Sequence, residues 1–137
     1  MIPPERVFSL LEKHMGGVFR WGKEDCFISG ASVFHELTGL DLAVSVRGKY
    51  SSEEGARVLL DPYGGSLSRL VEVWTNRLSL PQGVGEPSPG AIGVSPRECA
   101  IGLDGRCVCI YLGNGLWATK AIRGFSLGAK AERFWNA

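Results

Sequence analysis

The chain has 137 residues, enough for one domain with its own core and too few for two. Charged residues make up 21% and hydrophobic ones 45%, which excludes a disordered tail, and a net charge of +1 supplies no basic face for dedicated nucleic-acid binding. The start, Met1-Ile2-Pro3-Pro4-Glu5-Arg6, has no signal-peptide pattern and no apolar run approaches bilayer length, so the expectation is a cytosol-made, non-membrane protein with reduced cysteines.

A first helix is expected after Pro3-Pro4, with Val7, Leu10, Leu11 and His14 at helical spacing and a stop at Gly16-Gly17. Next comes Trp21-Gly22-Lys23-Glu24-Asp25-Cys26, leading into an apolar run from Phe27 to Leu37. Asp25 is placed to cap a helix from Cys26 to about Thr38, ended by Gly39 in a left-handed conformation. A cysteine in the first turn meets free N–H groups and the positive end of the helix dipole, which favour a thiolate. Cys26 is therefore the candidate nucleophile, the alternative being a small packed hydrophobe. His35 lies nine residues on, about 13 Å along the axis, and cannot serve Cys26 as a base.

Ser51 with Glu54 reads as a capping box for a short helix to Leu60, and Tyr63-Gly64-Gly65 breaks it. Leu67, Leu70, Val71, Trp74 and Leu78 recur at three and four, giving a helix over about 66–78. The Pro/Gly loop at 81–90 connects this helical half to one with strand character. Strands are expected at Ala91 to Val94, Cys99 to Leu103, Arg106 to Leu112 and Leu116 to Ile122, with Asp104-Gly105 and Asn114-Gly115 as hairpin turns. With two-residue loops, Cys107, Cys109 and Tyr111 share a face with Ala118, Lys120 and Ile122, while Val108, Ile110 and Leu112 share the other with Trp117. Cys99 then sits opposite Cys107 and Cys109, which works against a three-cysteine metal cluster built from this hairpin alone. The tail ends in Phe134 and Trp135, which either close the core or dock on a partner.

The order helix, Trp-Gly-x-x-Asp-Cys helix, helical middle, Pro-Gly loop and antiparallel strands resembles the NlpC/P60 superfamily of papain-like cysteine peptidases. It is similar in particular to a branch of small proteins from phage and prophage tail-gene clusters. The matching residues are Trp21-Gly22, Asp25-Cys26, Leu37-Thr38-Gly39 with Asp41, Arg47-Gly48-Lys49-Tyr50, Gly55-Ala56, Gly64-Gly65 and Pro89-Gly90. The resemblance implies an α+β fold over residues 1–137, N-terminal helices packed on a C-terminal antiparallel sheet.

Active members open the strand after the Pro-Gly loop with a histidine, whereas the matching stretch here is Cys107-Val108-Cys109-Ile110-Tyr111-Leu112-Gly113. The next strand offers Ala118, Thr119 and Lys120, with no evident third catalytic member, and the usual Gly-Asp is Gly90-Ala91. The resemblance thus implies a degenerate peptidase site in a structural or assembly component of a phage tail, near the tip or hub. Such a protein is made in the host bacterial cytoplasm and ends in the virion tail. Its partners would be other tail proteins, bound through Trp21, Tyr50, Tyr63 and Trp135. No cofactor is expected, although Cys26, Cys107 and Cys109 facing one cleft could pair as thiols or hold zinc or an iron-sulfur centre. The alternative is a Cys26-dependent peptidoglycan peptidase or amidase acting during DNA entry.

Overall fold

A computed structural model describes residues 1–96 and 103–137. Helix α1 spans Pro4–Met15, its prolines at the entry and Val7, Leu10, Leu11 and Met15 on the buried face. Helix α2 spans Cys26–Thr38, capped by Asp25 and ended by left-handed Gly39. Its burial reaches Phe27, Ile28, Ala31, Val33 and Phe34, as befits a helix covered on several sides. Residues 40–50 form successive turns braced by Arg47, whose guanidinium bonds both carboxylate oxygens of Asp41 at 2.8 and 3.0 Å.

Helix α3 covers Glu53–Leu60, and its cap is Ser52, not Ser51 as the capping-box pattern suggested. The Ser52 hydroxyl accepts from the Gly55 N–H at 3.0 Å, which puts the helix start one residue later. A 3₁₀ turn, Asp61–Tyr63, leads into α4, Leu67–Arg77, capped by the Ser66 hydroxyl. Tyr63 is held there by the Trp74 indole, which donates to its hydroxyl at 3.1 Å.

The second half is a five-stranded antiparallel sheet of β1 (Ile92–Ser95), β2 (Cys107–Gly113), β3 (Leu116–Lys120), β4 (Phe125–Ala129) and β5 (Arg133–Trp135). The strand order is β4-β3-β2-β1-β5. The tail is thus two strands, one on each edge, where the sequence suggested only a pair of terminal aromatics. The expected strand from Cys99 falls on 97–102, outside the described residues. Leu103 and Arg106 still close a tight turn over Asp104 and Gly105, both at positive φ.

The expected sorting of faces between β2 and β3 is wrong by one residue. Tyr111 pairs with Trp117 and Gly113 with Leu116, so Leu112 is an extra residue bulged out beside the turn. Ala118 and Lys120 therefore point with Val108 and Ile110 toward the helices, and Trp117 joins Tyr111 on the other face, ring centroids 4.9 Å apart. The main core, between helices and sheet, draws on both halves of the chain. A smaller cluster of Ala91, Cys109, Tyr111, Trp117 and Ala129, with Ala131 and Phe134 against it, fills the opposite face.

Buried Lys120 anchors the approach to α2. Its ammonium donates to the carbonyls of Gly17, Ala121 and Gly124 at 2.7, 2.9 and 2.9 Å and lies 3.5 Å from a Glu24 carboxylate oxygen. Burial pushes its pKa down and Glu24 pulls it back up. The lysine thereby ties the segment leading to Trp21-Gly22 onto the end of β3.

Candidate functional site

The N-terminus of α2 is built around the Asp25 carboxylate. One oxygen accepts from the Ile28 N–H at 2.8 Å, capping the helix that carries Cys26. The other accepts from the Gly22 N–H at 2.8 Å and from the Tyr50 hydroxyl. Gly22 has a φ of 82°, and a Cβ there would lie 2.0 Å from the Tyr50 carbonyl oxygen. Only glycine lets the two segments close on each other. Burial, reinforced by the Asp25 charge, pushes the Tyr50 phenol far above its ordinary pKa, so it stays a proton donor to Asp25.

Cys26 sits just inside this cap and is 5% exposed. It lines a narrow cleft with Trp21, Asp25 and Tyr50 on one side and Phe27, Val46, Ala56, Leu59, Leu60, Leu67, Leu70 and Leu103 forming an apolar wall. The cavity volume is about 20 Å³, room for about one water. Trp21 is half-buried and packs edge-on against Phe19, centroids 4.9 Å apart.

Both histidines of the chain lie elsewhere. His14, in the last turn of α1, bonds the Glu36 carboxylate, which Lys13 also reaches at 2.8 Å. His35 is exposed near the other end of α2. A thiol at the helix start thus has no imidazole beside it. Tyr50 cannot replace one, because a base must accept a proton and this phenol is held protonated.

Of the β2 cysteines, Cys107 shares the main core with Cys26. Cys107 is 1% exposed within the main core, whereas Cys109 belongs to the cluster on the other face of the sheet. Burial pushes the Cys109 thiol up, the nearby Cys26 adds to this, and the Gly93 N–H opposes it. Among the described residues no three His, Cys, Asp or Glu side chains come together as a metal site.

Of the aromatics expected to bind partners, Trp21 and Tyr50 line the cleft, but the Tyr50 hydroxyl is committed to Asp25. Tyr63 is half-buried and paired with Trp74. Trp135 is 1% exposed in β5 and closes the core, so it presents no binding surface. The sequence reading missed the leucine wall that α3 and α4 bring to Cys26. Its signal was the helical spacing of Leu67 and Leu70 together with the leucines that end the short helix before them.

Residues 3–137 match the family model described as Domain of unknown function (DUF6950). No curated protein matches the chain.

Proposed function

The chain belongs to the DUF6950 family, and we propose that it is a non-catalytic, papain-like NlpC/P60 domain that serves as a structural or assembly component of a phage tail, near the tip or hub. The observation that carries this reading is the surroundings of Cys26, a thiol 5% exposed at a helix N-terminus with both histidines elsewhere; on the resemblance, Cys107 takes the strand position where an active member has its base. Thiol hydrolysis needs a group that takes the proton from sulfur and later gives it to the leaving amine. Among the described residues, the groups on the cleft wall cannot do both. The Asp25 oxygens are already engaged by three donors, and Tyr50 does not ionise at working pH. The α+β layering, a cysteine-bearing helix packed on an antiparallel sheet, fits the proposed architecture.

The position of Cys26 in a helix-start cleft favours one second reading, a peptidoglycan peptidase or amidase whose base comes from a partner. Purified protein and its Cys26→Ser variant, both checked by circular dichroism, should leave defined peptidoglycan fragments intact. Cleavage by the wild type that vanishes in Cys26→Ser overturns the non-catalytic reading. For the assembly role, deletion of the gene from its phage should yield particles without completed tails. Normal particles that fail only at infection would point to the enzyme instead.

A further inference from the structure

The two edges of the sheet are treated differently. Beside β5, the 81–90 loop lies close, with the Gly83 N–H donating to the Phe134 carbonyl at 2.7 Å and the Ser88 N–H to the Asn136 side chain at 3.0 Å. On the opposite edge β4 pairs with β3 alone among the described strands, and Ser126 and Gly128 are exposed. Among the described residues its outer backbone groups are left to a further strand, apart from the Gly128 N–H, which donates to the Ser126 hydroxyl at 3.4 Å beside a register shift that kinks the strand.

Within the 121–131 segment the charges are of one sign, although α1, which meets β4 at the Phe8–Phe125 contact, carries Glu5 and Glu12 and Glu132 pairs with Arg106 beyond Lys130. Residues 121–131 contain no Asp or Glu, and exposed Arg123 and Lys130 flank β4 at its two ends. Against the start of β4 lies the segment 17–20, joined by the Val18–Arg123 bridge and by the Phe19 N–H to the Ile122 carbonyl at 2.8 Å. It adds exposed Arg20, with Lys23 just beyond, while the nearby Glu24 is turned toward buried Lys120. Between the cations stand the aliphatic side chains of Val18, 49% exposed, and Ile122, 64% exposed.

The geometry points to β4 as the docking edge for an extended, acidic segment of a partner protein, which adds an antiparallel or parallel sixth strand to the five present. The open amide row calls for a peptide backbone, since main-chain bonds supply the affinity in strand addition. The flanking cations call for carboxylates. A second copy of this chain does not fit, because antiparallel pairing of two β4 strands would bring Arg123 of one toward Lys130 of the other. The chain's net charge of +1 gives no wider basic field of the kind a nucleic acid needs. This inference stands apart from the state of Cys26 and holds whether or not the cleft is catalytic.

The test uses the full-length protein and fluorescein-labelled ten-residue peptides alternating valine with glutamate, read by fluorescence anisotropy and by amide shifts in heteronuclear NMR. The acidic peptide should bind, with shifts concentrated at 123–130, and its lysine counterpart should not. N-methylation of alternate peptide amides should weaken binding by about tenfold or more, because it removes strand bonds without touching the protein. Arg123→Glu combined with Lys130→Glu, both exposed, should weaken the acidic peptide by about tenfold and admit the lysine one. The inference fails if the acidic peptide does not bind, if N-methylation is without effect, or if shifts map elsewhere. It also fails if a single-stranded oligonucleotide or phosphatidylserine vesicles bind more tightly than the peptide.

Discussion

At the scale of single residues, Asp25 organises the candidate site and its own cost of removal can be apportioned. Replacing it with alanine loses a helix cap, about 1 kcal/mol, and strands the Tyr50 hydroxyl and the Gly22 N–H in a buried place, about 1 kcal/mol or more each. Asp25→Ala should therefore lower stability by about 3 kcal/mol in urea unfolding. Tyr50→Phe removes one donor and leaves Asp25 with its two backbone partners, so a loss of about 1 kcal/mol is expected. The double variant should lie close to Asp25→Ala alone, because the two side chains share one bond; additive losses would mean that Tyr50 acts elsewhere. Asp25 as cap was legible from the sequence, since its side chain, the following apolar run and Gly39 agree on one helix. Tyr50 as its partner was not, since the bond spans 25 residues and depends on how the turns at 40–50 fold back.

At the scale of elements, the helices were legible and the sheet only in part, for a physical reason. Caps and 3.6-residue spacing are local, so α1, α2 and α4 follow from nearby residues. Register is set by pairing at a distance, and the extra residue Leu112 moved every side chain of β3 to the other face. That slip hid the burial of Lys120 and the Tyr111–Trp117 contact. Strand β4, Phe125-Ser126-Leu127-Gly128-Ala129, carries glycine and serine, and its two large residues, Phe125 and Leu127, are only half-buried against the main core, too weak a signal to stand out. The contact of α2 with β2 was equally hidden, yet it yields a clear prediction. A Cβ on Gly30 would come within 2.6 Å of a Val108 methyl carbon, and Val108 is fully buried and β-branched. Gly30→Ala should lose about 1–3 kcal/mol by overpacking despite alanine's better helix propensity. Adding Val108→Ala should cost less than the sum of the two single changes, and simple additivity would show that the helix and strand do not meet there.

At the scale of the whole molecule, acid sensitivity should originate in carboxylates that folding pairs with cationic side chains. Glu36 of α2 takes hydrogen bonds from Lys13 and His14 of α1, which lower its carboxyl from an ordinary 4.5 to about 2. Asp41 is lowered too: burial works to raise it, but hydrogen bonds from Arg47 and the Ala43 N–H, with the Arg47 charge, outweigh this and hold it below its usual value. A carboxylate lowered by folding stabilises the native state fully above its unfolded pKa and loses that contribution as pH falls through the folded one. For Glu36 the window runs from about pH 4.5 down to about 2. The urea midpoint of the wild type should thus fall steadily across that interval, and Glu36→Gln should start lower at neutral pH and decline less steeply through it. Because the Glu36 pair is solvent-accessible, 1 M salt should narrow the gap between the two proteins. Parallel acid limbs for wild type and variant would show that Glu36 is not lowered by folding. The α1–α2 contact would then rest on the apolar packing of Val7, Leu11 and Met15 alone, without help from charge.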